Sequence, residues 1–216
     1  MKVREASDIQ LLNEWATPLF VGDYDDTGEL NRQLLELILA REAEFLAKRE
    51  EAPGGEKPFP QFWNCFSQLH VEQHLFDWPS DAIREVHAMV EQACIRYLKE
   101  GFRLPEIPRY SLKGWANVSR KADWHGCHSH YAGGRERISG VYWVSVPAPD
   151  EESNELNGDF ILYDPRGPYY PARYKKIFRP KAGRMLLQPS WLAHSVAPNR
   201  SDELRVSIAF DMSILD

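Results

Sequence analysis

Cysteine is scarce in this chain. Only three cysteines occur among 216 residues, Cys65, Cys94 and Cys127, and no two of them form a Cys-x-x-Cys pair. An odd and widely spaced set argues against a disulfide framework and against a zinc ribbon, since both need paired thiols. The scarcity of cysteine favours a fold that is stabilised by its hydrophobic core, and it favours a reducing compartment.

Long apolar runs and an excess of basic charge are also missing. The longest apolar stretch, Leu34 to Ala40, is interrupted by Glu36, and residues Met1 to Asp8 lack the apolar centre of a signal peptide. Acidic residues outnumber basic ones by 32 to 26, and the net charge of −6 disfavours binding to nucleic acid or anionic lipid through the overall field. We expect a cytoplasmic protein that binds neither nucleic acid nor a membrane.

The chain has enough apolar material for one large domain. Hydrophobic residues make up 43% of it and aromatic residues 12%, and a chain of this length buries about 70% of its unfolded surface. The segment Ile9 to Asp23 predicts one or two short strands. Helical spacing of apolar residues then predicts two helices, one from Thr27 to just before Pro53-Gly54-Gly55 and one from Ser80 or Asp81 to Gly101.

Downstream of Pro105 and Pro108 the pattern changes to short runs rich in Val, Ile, Tyr and Trp, separated by turn residues. This alternation is typical of an antiparallel β-barrel or sandwich. The predicted strands are Leu112–Val118, Ile138–Val146, Asp159–Tyr163, Arg184–Gln188 and Arg205–Met212. The sequence therefore predicts an α+β, mainly β fold in a single domain, with residues 1–105 as a helical support region and residues 106–216 as the β core.

Histidines cluster near the start of the β region. His125, His128 and His130 occur within six residues, and residues two apart on an extended segment point to the same face. His128 and His130 can therefore aim their imidazoles at one point, which is half of a metal site. His194, roughly sixty residues later, is the other downstream histidine, and it follows a predicted turn at Pro189 and Trp191.

A cationic and a hydroxyl side chain follow on the last predicted strand. Strand alternation places Arg205 and Ser207 on one face, and Val206, Ile208 and Phe210 on the other. A guanidinium beside a hydroxyl suits a carboxylate.

In these stretches the chain resembles the 2-oxoglutarate- and Fe(II)-dependent oxygenases, and most closely a poorly characterised bacterial and phage group of that family. The resemblance covers about the last ninety residues and implies a double-stranded β-helix, or jelly-roll, core. The segments that carry it are His128–His130 followed by Ile138–Val144, Gly158–Arg166, Pro180–His194 and Leu204–Phe210.

The resemblance implies Fe(II) and 2-oxoglutarate as metal and cosubstrate, and a reaction that couples decarboxylation of 2-oxoglutarate to hydroxylation of a small molecule or a peptide. It also implies roles for nine residues. His128, His130 and His194 would bind Fe(II), Arg205 and Ser207 would bind the cosubstrate carboxylate with Tyr142 and Tyr163 as further donors, and His125 and Trp191 would support the ligands from outside.

One position departs from the family pattern. Most members supply His-x-Asp or His-x-Glu in the first pair of ligands, whereas this chain has His130 at the carboxylate position. A set of three imidazoles carries one negative charge less and should raise the Fe(III)/Fe(II) potential. The alternative ligand set replaces His130 with a carboxylate that the fold brings in from elsewhere.

Other interpretations stay open at this point. A cupin-like enzyme with three histidines and no 2-oxoglutarate would need a glutamate after the His-x-His, and Glu136 is the one candidate. A jelly-roll binding module without catalysis is a third interpretation. The basic run Arg173–Arg184 predicts either an exposed edge strand and loop or a binding surface for an acidic partner. Exposed apolar stripes on the helices are compatible with a homodimer.

Overall fold

The computed structural model describes residues 17–50, 65–67, 74–130, 136–148, 155–167 and 174–215. These segments contain ten strands and two α-helices, with a 3-10 turn at Leu75–Asp77 and a π-helical turn at Tyr97–Gly101 on either side of the second helix. In chain order the elements are β1 Phe20–Asp23, α1 Gly28–Glu50, β2 Phe66–Ser67, α2 Asp81–Arg96, β3 Tyr110–Ser119, β4 His125–His128, β5 Glu136–Ser145, β6 Phe160–Tyr163, β7 Lys175–Phe178, β8 Arg184–Pro189, β9 His194–Val196 and β10 Arg205–Ile214.

The strands form two antiparallel sheets that face each other. The larger sheet has the order β1-β8-β5-β10-β3-β2, and the smaller sheet has the order β4-β9-β6-β7. Between them, Trp143 and Leu186 of the larger sheet pack in one buried cluster with Phe160, Leu162 and Val196 of the smaller one. This sandwich confirms the predicted α+β, mainly β architecture.

Both helices cover the outer face of the larger sheet. Leu34 and Ile38 of α1 and Ile83 of α2 are fully buried in the same cluster as Ile208 and Phe210 of β10. The apolar side chains on β10 therefore point at the helices, and alternation turns Arg205 and Ser207 toward the smaller sheet. Within the described segments, neither helix combines the length and the apolar character that a membrane crossing needs.

The predicted helices and the five predicted strands are confirmed, with ends shifted by a few residues. β1 lies within the segment Ile9–Asp23, and it pairs with β8, while β2 pairs with β3. The first 105 residues therefore contribute edge strands to the larger sheet as well as helices. The segment Pro53-Gly54-Gly55 lies outside the described residues.

The basic run after residue 173 forms the edge strand that the sequence favours. β7 pairs only with β6 in the smaller sheet and has an exposed Lys175 and Lys176. Further along the run, Lys181 and Arg184 form ion pairs with Asp23 of β1, at 3.0 Å and 2.6 Å. Two of the six basic residues in the run are therefore paired with one carboxylate, and the Arg184 contact ties β1 to β8.

Candidate metal centre and anion pocket

Strand pairing in the smaller sheet brings the distant histidines together. β4 and β9 are antiparallel neighbours, and His128 is the register partner of His194. His130 follows β4 directly, and its backbone N–H donates to Ser190 O at 2.9 Å, in the turn that precedes β9. Two segments far apart in the chain are thus held side by side by backbone hydrogen bonds.

The three imidazoles converge on one point. His128, His130 and His194 each offer one ligand atom, and these atoms lie within 4.8 Å of one another. Nε2 of His128 and Nε2 of His130 are 3.3 Å apart. Metal–nitrogen bonds of about 2.1 Å place neighbouring ligand atoms about 3.0 to 3.4 Å apart, so this separation already suits a shared ion.

Each of the three histidines has a hydrogen-bond acceptor at Nδ1. Nδ1 of His128 donates to Gly126 O at 2.8 Å, and Nδ1 of His194 donates to Leu192 O at 3.1 Å. Nδ1 of His130 donates to the Asp211 carboxylate at 2.7 Å. A proton fixed at Nδ1 keeps the Nε2 lone pair available, which is how proteins orient a histidine toward a metal.

Gln188 touches the same nitrogen of His194. Its Nε2 lies 2.8 Å from His194 Nδ1, and its Oε1 is buried without a hydrogen-bond partner. Turning the amide over would let Oε1 accept from Nδ1–H, because the two ends of an amide have the same shape. The amide then holds the tautomer in which His194 Nε2 is a ligand.

Burial favours the neutral form of His128 and His194. Desolvation lowers the pKa of His128, and it lowers the pKa of His194 further because that ring is almost completely enclosed and has the other histidines beside it. Neutral imidazole is the form that binds a metal. The site therefore loses little metal affinity to proton competition at neutral pH.

Arg205 forms the second half of the site. Its side chain is fully buried, with Nε donating to Gly158 O at 3.0 Å and Nη1 contacting Ser207 Oγ at 3.4 Å, while Nη2 has no partner. Desolvation lowers its pKa to about 10, so the guanidinium is still charged at neutral pH. A buried cation with an unsatisfied donor is costly unless an anion binds to it.

A polar wall surrounds this cation. Ser207 is the register partner of Asn117 on β3, and both side chains line the cavity that also holds the three histidines. Asn117 is buried and its Oδ1 has no hydrogen-bond partner. The cavity has a volume of about 420 Å³, large enough for a small organic ligand, and apolar side chains such as Trp115, Val141 and Phe160 complete it.

Two tyrosines that the sequence proposed as cosubstrate ligands do not line this cavity. The Tyr142 hydroxyl donates to Asn31 Oδ1 at 2.7 Å, in the cluster between the larger sheet and the helices. The Tyr163 hydroxyl lies 2.9 Å from Ser195 Oγ. Tyr142 is one position from Val141 and Tyr163 is three positions from Phe160. Both Val141 and Phe160 line the cavity, so alternation turns each tyrosine to the opposite face of its strand.

The two residues that were expected to support the ligands, His125 and Trp191, differ in their position relative to the cavity. His125 lines the cavity, and its Nε2 lies 2.9 Å from Cys65 Sγ. Trp191 lies in the turn before β9 with 44% of its surface exposed, and it is not among the cavity-lining residues. Outside the β core, His87 packs on Phe76 and does not line the cavity.

Sequence reasoning missed several residues that the fold places in the site. Asp211, Asn117, Trp115, Ser139 and Gln188 all line the cavity. Asp211 could have been found, because positions 205, 207, 209 and 211 share one face of a strand. The others carry no signal beyond a polar or aromatic residue within an apolar strand.

Comparison with known proteins agrees with this chemistry. Residues 113–211 match the family model described as "Putative 2OG-Fe(II) oxygenase". The match covers 99 of the 216 residues, slightly less than half of the chain, and shows that this segment is similar to the 2OG-Fe(II) oxygenases. Oxygenases of that family are oxidoreductases that use Fe(II) and 2-oxoglutarate, so the similarity implies both groups for this chain. No curated protein matches the chain.

Solved structures establish the fold of the oxygenase domain. A prolyl-4-hydroxylase from Pseudomonas putida superimposes with a TM-score of 0.66 at 13% identity, over 93% of this chain and 94% of its own. A prolyl hydroxylase from Trichoplax adhaerens, in complex with a hypoxia inducible factor peptide fragment, gives 0.63 at 14% identity, over 91% and 83%. A non-heme α-ketoglutarate-dependent carbocyclase from nogalamycin biosynthesis gives 0.61 at 12% identity, over 93% and 81%. The predicted double-stranded β-helix is confirmed.

The residues of this site fit the implied groups. Imidazole is a suitable ligand for Fe(II), and one nitrogen of each ring lies within 4.8 Å of the other two. The unpaired Nη2 of Arg205 fits one carboxylate of a dicarboxylic acid. A metal at the histidines and an anion at Arg205 would share one cavity.

Proposed function

We propose that the protein is a 2-oxoglutarate- and Fe(II)-dependent oxygenase that couples decarboxylation of 2-oxoglutarate to hydroxylation of an organic substrate. One observation carries this proposal: the potential ligand nitrogens of three histidines converge in the cavity that also contains the buried, incompletely paired Arg205. When bound, Fe(II) would supply oxygen activation, with 2-oxoglutarate as the two-electron reductant.

Arg205 accounts for the choice of cosubstrate. A molecule of 2-oxoglutarate has a keto acid at one end, which suits a metal, and a simple carboxylate at the other. The carboxylate would accept hydrogen bonds from Arg205 Nη2 and Ser207 Oγ, with the Asn117 amide beside them in register. Asp159, the acidic group that acts on Arg205 electrostatically, forms no ion pair with it in the described part of the chain, so the cation remains available.

The apolar walls would keep the reacting atoms away from bulk water. Trp115 stacks on His130 at a ring distance of 5.6 Å, and Phe160 stacks on His194 at 5.1 Å. These contacts fix the planes of two imidazoles and enclose the metal site with aromatic surface. Rigid ligands and a dry cavity favour reaction with a bound substrate over reaction with solvent.

The cupin-like alternative explains less of the structure. It uses the three histidines equally well, but it gives no role to a fully buried guanidinium with an unpaired Nη2. Its expected glutamate, Glu136, begins β5, and its side chain lies outside the described part of the chain. A binding module without catalysis likewise leaves the convergence of the three imidazoles unexplained.

Product formation tests the proposal. Purified protein supplied with Fe(II), 2-oxoglutarate and oxygen should form succinate and carbon dioxide. This turnover should occur at a slow rate even when no substrate is added. His194→Ala should lose both metal and turnover, because it removes a ligand from the centre of the site. His87→Ala is the matched control, since His87 packs on Phe76 outside the cavity, and it should behave as wild type. Metal binding without any succinate would favour the cupin-like alternative.

We further propose a cytoplasmic location, a small-molecule or peptide substrate and a homodimer, with no nucleic acid or membrane as partner. The cytoplasmic location is supported by three free thiols, Cys65, Cys94 and Cys127, of which Cys127 is exposed. Cell fractionation tests the compartment, light scattering tests the dimer, and product analysis against peptide and metabolite libraries tests the substrate class.

A further inference from the structure

Asp211 holds the one histidine that replaces the usual carboxylate ligand. Its Oδ1 accepts a hydrogen bond from His130 Nδ1 at 2.7 Å, and the two side chains are only 15% and 13% exposed. Asp211 lies on β10, on the same face as Arg205 and Ser207, and it lines the cavity. The contact joins residues that are 81 positions apart in the chain.

The other two candidate ligands have different partners. Nδ1 of His128 and Nδ1 of His194 donate to backbone carbonyls, of Gly126 and Leu192. His130 donates to an anion. This anionic partner therefore acts on the histidine at the position where most members of the family place Asp or Glu.

We propose that Asp211 supplies, through His130, the negative charge that the three-imidazole ligand set lacks. A carboxylate at Nδ1–H raises the basicity of Nε2 and shifts electron density toward the metal. His130 and Asp211 then act together as an anionic ligand, while Asp211 itself stays outside the ligand set. This inference rests on the proposed function, because it requires Fe(II) at the three histidines.

The surroundings of His130 let the charge be tested apart from the geometry. Trp115 stacks on the ring at an interplanar angle of 28°, and Ser139 Oγ lies 3.1 Å from the same Nδ1. These contacts would keep the ring in place when Asp211 becomes Asn, whose Oδ1 can still accept the hydrogen bond. Asp211→Asn therefore removes the charge with little change of shape.

The measurement is the dissociation constant of Fe(II) under anaerobic conditions, without 2-oxoglutarate, together with the Fe(III)/Fe(II) midpoint potential. Loss of an outer carboxylate of this kind weakens metal binding by about 10- to 100-fold. We expect that range for Asp211→Asn and a more positive potential, with recovery in Asp211→Glu. Asp202→Asn, at an exposed ion pair with Lys121, is the control and should match wild type.

A double-mutant cycle separates this role from direct ligation. If Asp211 acts through His130, adding Asp211→Asn to His130→Ala should weaken Fe(II) binding by no more than about twofold. If His130→Ala keeps the metal and the double variant loses it, Asp211 is itself the ligand and the inference is wrong. Unchanged affinity and potential in Asp211→Asn would also overturn it. A wild-type protein that binds no Fe(II) would instead remove the proposed function, and this inference with it.

Discussion

Replacing Arg205 with methionine should separate ligand binding from folding. The guanidinium is fully buried, and its free Nη2 and the nearby Ser207 would provide the main contacts for the cosubstrate carboxylate. A hydrogen bond between charged groups contributes about 1.5 to 3 kcal/mol, so the loss of the Nη2 bond should weaken 2-oxoglutarate binding by at least about tenfold.

The same change should cost little folding stability. Methionine has a similar length, and it removes a buried charge whose hydrogen bonds are incomplete, although Gly158 O loses its donor. We expect the free energy of unfolding without ligand to stay within about 2 kcal/mol of the wild-type value. Truncation of most buried residues with a structural role would instead destabilise the protein.

Calorimetry with Zn(II) as a redox-inert metal provides the assay. It gives the 2-oxoglutarate affinity, and thermal melts with and without the cosubstrate give the stability. Arg96→Met, at an exposed position on α2, is the control and should bind normally. Wild-type affinity for 2-oxoglutarate in Arg205→Met would refute the assignment of this residue to the cosubstrate.

Three further predictions address the rest of the fold. Tyr142→Phe should destabilise the protein by about 1 kcal/mol, because it loses the hydrogen bond to Asn31. Both Tyr142→Phe and Tyr163→Phe should leave the 2-oxoglutarate affinity unchanged in calorimetry, and a tenfold loss of that affinity would contradict the positions of the two hydroxyls. Ion pairs lower the pKa of Asp23, so Asp23→Asn should lower the free energy of unfolding by less than about 1 kcal/mol at pH 7. The difference between the two proteins should vanish as the pH falls below 3.8, the ordinary pKa of an aspartate, because the carboxylate then becomes protonated. A difference that stays constant with pH in denaturant melts would contradict this role of the ion pairs. Trp143→Ala should cost about 3 to 5 kcal/mol in urea unfolding, since this ring fills the space between the sheets, and a cost below 1 kcal/mol would contradict that packing.

The sequence was sufficient to predict the elements that hold the site. Strand alternation placed His128 and His130 together and put Arg205 beside Ser207, and the structure brings all four to one cavity. The histidines were recognisable because three of them occur within six residues, and Arg205 and Ser207 because they alternate with apolar residues. The inclusion of His194 was inferred only from spacing and family resemblance, and the pairing of β4 with β9, which sets His128 opposite His194, was not predicted.

The faces of the two tyrosines could not be predicted in the same way. Tyr142 lies between Val141 and Trp143, in a strand that is covered on both faces, by helices on one and by the smaller sheet on the other. Both faces of such a strand are apolar, so alternation shows which residues share a face but not which face meets the cavity. The contact between Asp211 and His130 depends on the packing of two sheets, which no local pattern encodes.

A crystal structure of the protein grown anaerobically with Fe(II) and 2-oxoglutarate tests the account most directly. Anomalous scattering at the iron edge should show one ion bound by Nε2 of His128, His130 and His194, with the far carboxylate of 2-oxoglutarate on Arg205 and the Asp211 carboxylate on His130 Nδ1. An iron site elsewhere, or three imidazoles with no ion between them and Arg205 without an anion, would contradict it.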